Sequence, residues 1–218
     1  MKVLAFDCAT GPTSVALWRD GTVAARADDA RPQGQAESLV PLIGLVLQQA
    51  GLAPAGVDRI AVTLGPGSFT GVRIALAAAR GLGLAVGRPV FGRSSLEVMA
   101  AGLPPAECPT LVAIDARRGE IYGQLFAPDG RPLSVLAAVA LPEIGAAGLL
   151  PAGPLRVAGS GAALVAGASG RTDLDLAAVA APDAAVLARL VAGAAAADAD
   201  PAPEPIYLRA PDARLPAA

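Results

Sequence analysis

Positions 3–6 run apolar through Val3, Leu4, Ala5 and Phe6 to Asp7, turn through Gly11, and resume as an apolar stretch ending at Trp18. Residues 111–126 repeat the pattern. An apolar run ends at Asp115, a turn passes through Gly119, and a second run ends on Phe126. Each unit is followed by a turn, Arg19-Asp20-Gly21 in one and Pro128-Asp129-Gly130 in the other. Paired positions lie 108 residues apart until one inserted residue before the last glycine. Two unrelated hairpins would also share alternation and turn glycines. The matched aspartates, glycines and aromatics at one offset favour a duplication, and so an α/β chain of two similar halves, each opening with a strand–turn–strand.

Between the repeats the period changes. Leu39, Leu42, Ile43, Val46, Leu47 and Ala50 recur at three- and four-residue spacing and predict a helix over 34–50. Residues 57–64 predict a short buried strand. A glycine loop at 65–71 leads into a helix to about Leu84, then a strand around 89–92 and a helix from Ser94 or Ser95 to Ala101, with the serine as N-cap. The segment LPPAECP, 103–109, is proline-rich and sets the expected boundary between an N-terminal domain, 1–104, and a C-terminal domain, 105–197. Residues 131–181 are rich in Ala, Gly, Pro and Leu and show weak periodicity. Asp183 to Ala197 reads as a helix, and 198–218 as linker and tail.

Composition narrows the chemistry. The chain has 218 residues, is 54% hydrophobic and carries a net charge of −2. Lys2 is its only lysine, and no run of cations marks a nucleic-acid face. Only 3% of residues are aromatic, which argues against base-stacking platforms. Cys8 and Cys108 stand far apart, as in a reduced cytoplasmic protein. MKVLAFD reads as a strand rather than a leader. The apolar stretches are interrupted by charges before reaching the length of a membrane span, so a soluble chain is expected. The chain has no histidine. That removes Ser-His-Asp and Cys-His catalysis and the commonest metal ligand; no tight carboxylate cluster suggests a metal either.

The stretch GPGSFTGVRIALAAARGLG, 65–83, invites two readings. A glycine loop before a helix offers N–H groups to an anion, with Ser68 and Thr70 as hydroxyl donors. However, Gly65, Gly67 and Gly71 are spaced one residue too long for the dinucleotide fingerprint, and no Gly-Lys-Ser/Thr follows. The other reading is a tight strand-to-helix turn capped by Ser68 or Thr70. Behind the loop, Gly71, Ala75, Ala79 and Gly83 recur every four residues and form a smooth stripe on which another helix could lie. The alternative is that the stripe packs inside its own domain. The 34–50 helix is apolar nearly all round, so part of it would be exposed unless a partner covers it.

DCATGPTSVAL (7–17), GQAESLVPLI (34–43), the 65–83 stretch, DARRGEIY (115–122) and PIYLR (205–209) together resemble the bacterial TsaB family, also called YeaZ. The resemblance is weakest over 131–181. It implies a duplicated α/β fold of the actin-like ATPase (ASKHA) type, two similar halves with mixed sheets flanked by helices. It also implies a non-catalytic partner of a TsaD-like protein that works with a TsaE-like ATPase. That complex transfers a threonylcarbamoyl group onto N6 of adenosine 37 in tRNAs reading ANN codons. Pairing would use the helices at about 34–50 and 68–84, with the same surface making a homodimer when the partner is missing. The expected partner-binding residues are Leu39, Leu42, Ile43, Val46, Gly71, Val72, Ala75, Ala79 and Leu82. Asp7, Thr10, Gly67, Ser68 and Thr70 would be a vestigial phosphate loop, and Arg117 and Arg118 candidate phosphate contacts at the complex interface. No cofactor, metal or catalytic residue is implied, and contact with tRNA would be indirect. Many members carry a histidine just before the serine where this chain has Ala36-Glu37-Ser38. Two rival readings remain: a free-standing nucleotide-binding module, and a peptidase-like hydrolase using Asp7, Asp115 and Glu120.

Overall fold

The computed structural model describes residues 1–200 and 202–209; the end of the expected tail lies outside the described residues. The first half runs β1 (Lys2–Asp7), β2 (Thr13–Arg19), β3 (Thr22–Asp29), α1 (Gln35–Gln49), β4 (Arg59–Thr63), α2 (Phe69–Val86), β5 (Val90–Arg93) and α3 (Ser95–Gly102). The second runs β6 (Thr110–Arg117), β7 (Glu120–Phe126), β8 (Ala137–Ala140), β9 (Leu155–Ala158), α4 (Ala162–Ser169), β10 (Leu174–Ala177) and α5 (Ala184–Ala192). The two sheets share one topology. The first has the order β3-β2-β1-β4-β5 and the second β8-β7-β6-β9-β10. In each, the first three strands pair antiparallel and the last two join the first in parallel.

The apolar runs explain the layering. β1 is buried on both faces, as a central strand with helices on each side must be. Leu4 and Phe6 join Leu17, Ile60 and Val62 beneath α1 and α2. Val3 and Ala5 face the other way, with Ala16 and Ala61, against Ala184, Leu187, Ala188 and Val191 of α5. In the second sheet Leu111, Ala113 and Ile121 pack with Val165 of α4, while Val112, Ile114 and Phe126 pack on Leu96 and Met99 of α3. The last helix of each half therefore covers the sheet of the other half. A cut near 104–105 falls between α3 and β6, but it does not separate two cores: α5, expected in the C-terminal domain, completes the N-terminal one.

The duplication also corrects the residue matching. An offset of 108 holds between β2 and β7, where Leu17 and Leu125 take the outer faces. It fails between β1 and β6. There it would match Leu4 with Val112 and Phe6 with Ile114, which lie on opposite faces of their sheets. A one-residue slip, matching Leu4 with Leu111 and Phe6 with Ala113, keeps the faces, because strand side chains alternate with period two. Asp7 and Asp115 are consequently not structural equivalents. β6 carries a register shift between Asp115 and Arg117, where the slip is absorbed.

Local signals place the helix ends. Ser68 Oγ accepts from Gly71 N at the start of α2, Ser94 Oγ from Glu97 N at α3, and an Asp183 oxygen from Ala185 N at α5. Gly87, at φ 63°, ends α2 in the left-handed conformation. Pro41 lies beyond the first turn of α1; it supplies no N–H to the Glu37 carbonyl, and both residues are on an exposed side of the helix.

Candidate functional site

The glycine loop is pressed onto the end of β1. A Cβ on Gly67 would stand 2.2 Å from the Ala9 carbonyl oxygen, and one on Gly71 only 2.0 Å from that of Cys8. Ser68 N donates to Ala9 O at 2.6 Å. Glycine is required here because backbone meets backbone. The loop's approach is thus taken up by two carbonyls of its own chain, and the Ser68 hydroxyl by Gly71 N. Thr70 is exposed. The second half builds the same device, unforeseen from sequence, where a Cβ on Gly159 would meet Ala113 O at 2.1 Å and Gly161 N donates to that oxygen at 2.9 Å. The run Ala158-Gly159-Ser160-Gly161 after an apolar strand was its signal.

Asp7 sits at the carboxyl end of β1, wholly buried. Its Oδ1 accepts from the Thr63 hydroxyl and, at 3.1 Å, from Ala9 N. Among the described residues, Oδ2 and the Thr10 hydroxyl have no hydrogen-bond partner. Burial pushes the Asp7 carboxyl up to about 6, against the pull of its two hydrogen bonds. Burial and the neighbouring Asp7 charge raise the Cys8 thiol to about 12, so it is no nucleophile at neutral pH.

A cleft of about 540 Å³ opens between the halves, with Thr10, Ser68, Asp115, Arg117, Tyr122 and Ser160 among its lining. It brings Thr10, Gly67, Ser68 and Arg117 together; Asp7 and Thr70 do not line it. Arg118-Gly119 form a two-residue hairpin turn with φ of 57° and 76°, and Arg117 before them is also left-handed at 64°. This turn projects the Arg117 side chain, 84% exposed, yet its guanidinium is paired with Asp115 at 3.1 Å. Asp115 N donates to Ser160 Oγ at 3.0 Å, which ties the hairpin to the second glycine loop. Glu120 is paired with Arg209. The three carboxylates of the hydrolase reading thus do not form one acid–base site: Asp7 is buried, and Asp115 and Glu120 are held in separate ion pairs.

The helix faces need correction. Leu39, Ile43 and Val46 are core residues of the first half, and so are Gly71, Val72, Ala75 and Ala79. The stripe of small residues lies on its own sheet; a Cβ on Gly83 would reach within 2.7 Å of Val90 Cγ2. Leu42 and Leu82 are half-buried at the flank of that core. The outward surface consists of other residues: Val40 at 66% exposure and Leu45 at 41% on α1, and Leu84 at 88% on α2. Gly44 and Gly81 lie among them with open space where a Cβ would be. Ala77, Gly81 and Ala85 form a second small stripe, exposed, two residues out of step with the buried one. Arg73 and Arg80 flank it, and charge on that side was the available sign of the solvent face. α2 is also long and apolar enough, by length and composition, to cross a membrane. Its buried side is nevertheless part of the first core.

The family model that matches, over residues 33–156, is described as TsaD: tRNA N6-adenosine threonylcarbamoyltransferase. The chain is similar to the tRNA threonylcarbamoyladenosine biosynthesis protein TsaB of Escherichia coli (strain K12), 42% identical over 124 residues. That match covers 56% of this chain and 53% of the relative, so it spans about half that protein's length. Among solved structures, YeaZ from Pseudomonas aeruginosa superposes with a TM-score of 0.81 at 33% identity, over 95% of this chain and 99% of that one. Component A of the (R)-2-hydroxyglutaryl-CoA dehydratase of Acidaminococcus fermentans superposes at 0.52 with 13% identity, over 89% of this chain and all of that one. This is a likeness of fold, the duplicated α/β fold of actin-like ATPases.

Proposed function

Because this chain belongs to the TsaB (YeaZ) family, we propose that it is a non-catalytic subunit of a cytoplasmic tRNA-modifying complex. It docks a TsaD-like transferase through the outward faces of α1 and α2. With a TsaE-like ATPase, that complex transfers a threonylcarbamoyl group onto N6 of adenosine 37 in tRNAs reading ANN codons. The observation that carries the docking is the unpartnered apolar face of Val40, Leu45 and Leu84, with Gly44 and Gly81 set low among them. Two helices with glycine at their outward faces allow close helix approach and dense dispersion contacts. In the absence of the partner the same face pairs with a second copy of the chain.

The cleft plays no catalytic part in this reading. The near-neutral charge of the chain suits a subunit whose contact with tRNA is indirect. The experiment is reconstitution of tRNA threonylcarbamoylation with TsaD-like and TsaE-like proteins from the same source, with and without this chain. Modification that requires the chain supports the proposal. Equal modification without it would overturn it.

A further inference from the structure

Residues 202–209 are irregular in backbone, yet they are fastened at both ends. Before them, Asp200 N donates to Val90 O of β5 at 2.9 Å. Arg80 of α2 then holds the Pro203 carbonyl, and Pro203 is buried. Ile206 N donates to Leu64 O at 2.8 Å. The Tyr207 ring stacks on Phe69 with centroids 5.6 Å apart, and its hydroxyl accepts from Arg73 Nε at 2.7 Å. Arg73 also lies over the Phe69 ring at 3.5 Å, a cation–π contact that locks the pair. The segment therefore runs antiparallel to α2, from its C-terminal part to its first residue. It then leaves the first half: Arg209 pairs with Glu120 and donates to Ala116 O at 3.3 Å, both on the β6–β7 hairpin.

The two anchorages adjoin residues that line the cleft from opposite halves. Ser68, next to Phe69, lines it from the first half, and Ala116 and Arg117 line it from the second. We propose that residues 202–209 form a strap from one half to the other, beside the cleft, that fixes the spacing of the two halves. The α3–α5 layer joins the halves through their cores, and the strap is a second, separate link between them. The aromatic stack sets where the strap lies on α2. The Arg209–Glu120 pair is the link that spans the gap.

The test uses spin labels at Gln33→Cys, beside the cleft-lining Pro32, and Ala178→Cys, just after β10. Cys108 is replaced by serine; Cys8 is buried and stays unlabelled. The strap predicts one narrow interlabel distance in the otherwise unaltered chain. Arg209→Glu, which sets two carboxylates against each other, gives a longer and broader distribution. The exchanged pair Arg209→Glu with Glu120→Arg returns it to the narrow one. Should Arg209→Glu fail to fold, Arg209→Gln is measured instead, and broadening is again expected. A distribution that stays unchanged in the folded Arg209 variant would overturn the proposal, as would broadening that the exchanged pair does not reverse.

Discussion

At Asp7 the chain buries a carboxylate with one oxygen bonded twice and the other, among the described residues, not at all. Its folded-state value of about 6 lies above the ordinary 3.8, so the folded protein binds the proton more tightly than the unfolded chain does. Stability from this group is therefore full in acid and is lost as pH rises from about 4 through 6. Asp7→Asn keeps the Oδ1 acceptor and removes the charge. Relative to the parent it should gain on the order of 2–3 kcal/mol between pH 4.5 and pH 7.5, read from denaturant midpoints. An equal pH response in both proteins would contradict this. The glycines give a second test at the same scale. Gly71→Ala forces a Cβ onto the Cys8 carbonyl and should cost about 3 kcal/mol or more. Gly81→Ala meets nothing and should stabilise α2 by about 0.5–1 kcal/mol. Paired thermal melts decide both. The need for glycine at 65–71 was visible in sequence. Its cause, the carbonyls of Cys8 and Ala9, was not, because those residues lie far away along the chain.

At the scale of elements, legibility followed local signal strength. β1, β4, α2 and α3 were readable because apolar runs and capping serines bracket them. β3, TVAARADD, went unread because it is a polar edge strand with little buried surface. β8, β9 and β10 are four residues each in Ala- and Leu-rich sequence, too short for either period to register. The α2 stripe was legible as a pattern but not as a direction. Small residues recur every four positions on both sides of the helix, and only the sheet decides which side is buried. Ala79→Trp should accordingly unfold the protein rather than merely block an interface, since Ala79 has no exposed surface. Loss of the cooperative melt is the expected sign; a native-like melt would return the stripe to the surface.

For the whole molecule, duplication was legible from the repeated strand–turn–strand and is matched by the identical order of the two sheets. What sequence could not supply was the exchange of α3 and α5, which makes each sheet depend on a helix from the other half. That exchange is tertiary: the apolar face of α5 suits either sheet, and proximity in sequence points to the wrong one. It also means that the halves should unfold together. The central claim concerns the face that remains open once this frame is built. The most direct measurement is the affinity of the chain for a TsaD-like protein from the same source, by titration calorimetry, before and after Val40→Asp with Leu84→Asp. Both positions are exposed, so the fold should survive, as circular dichroism would report. The account predicts at least about a hundredfold weaker binding, as expected for charges forced into an apolar interface. Unchanged affinity in the folded double variant would contradict it.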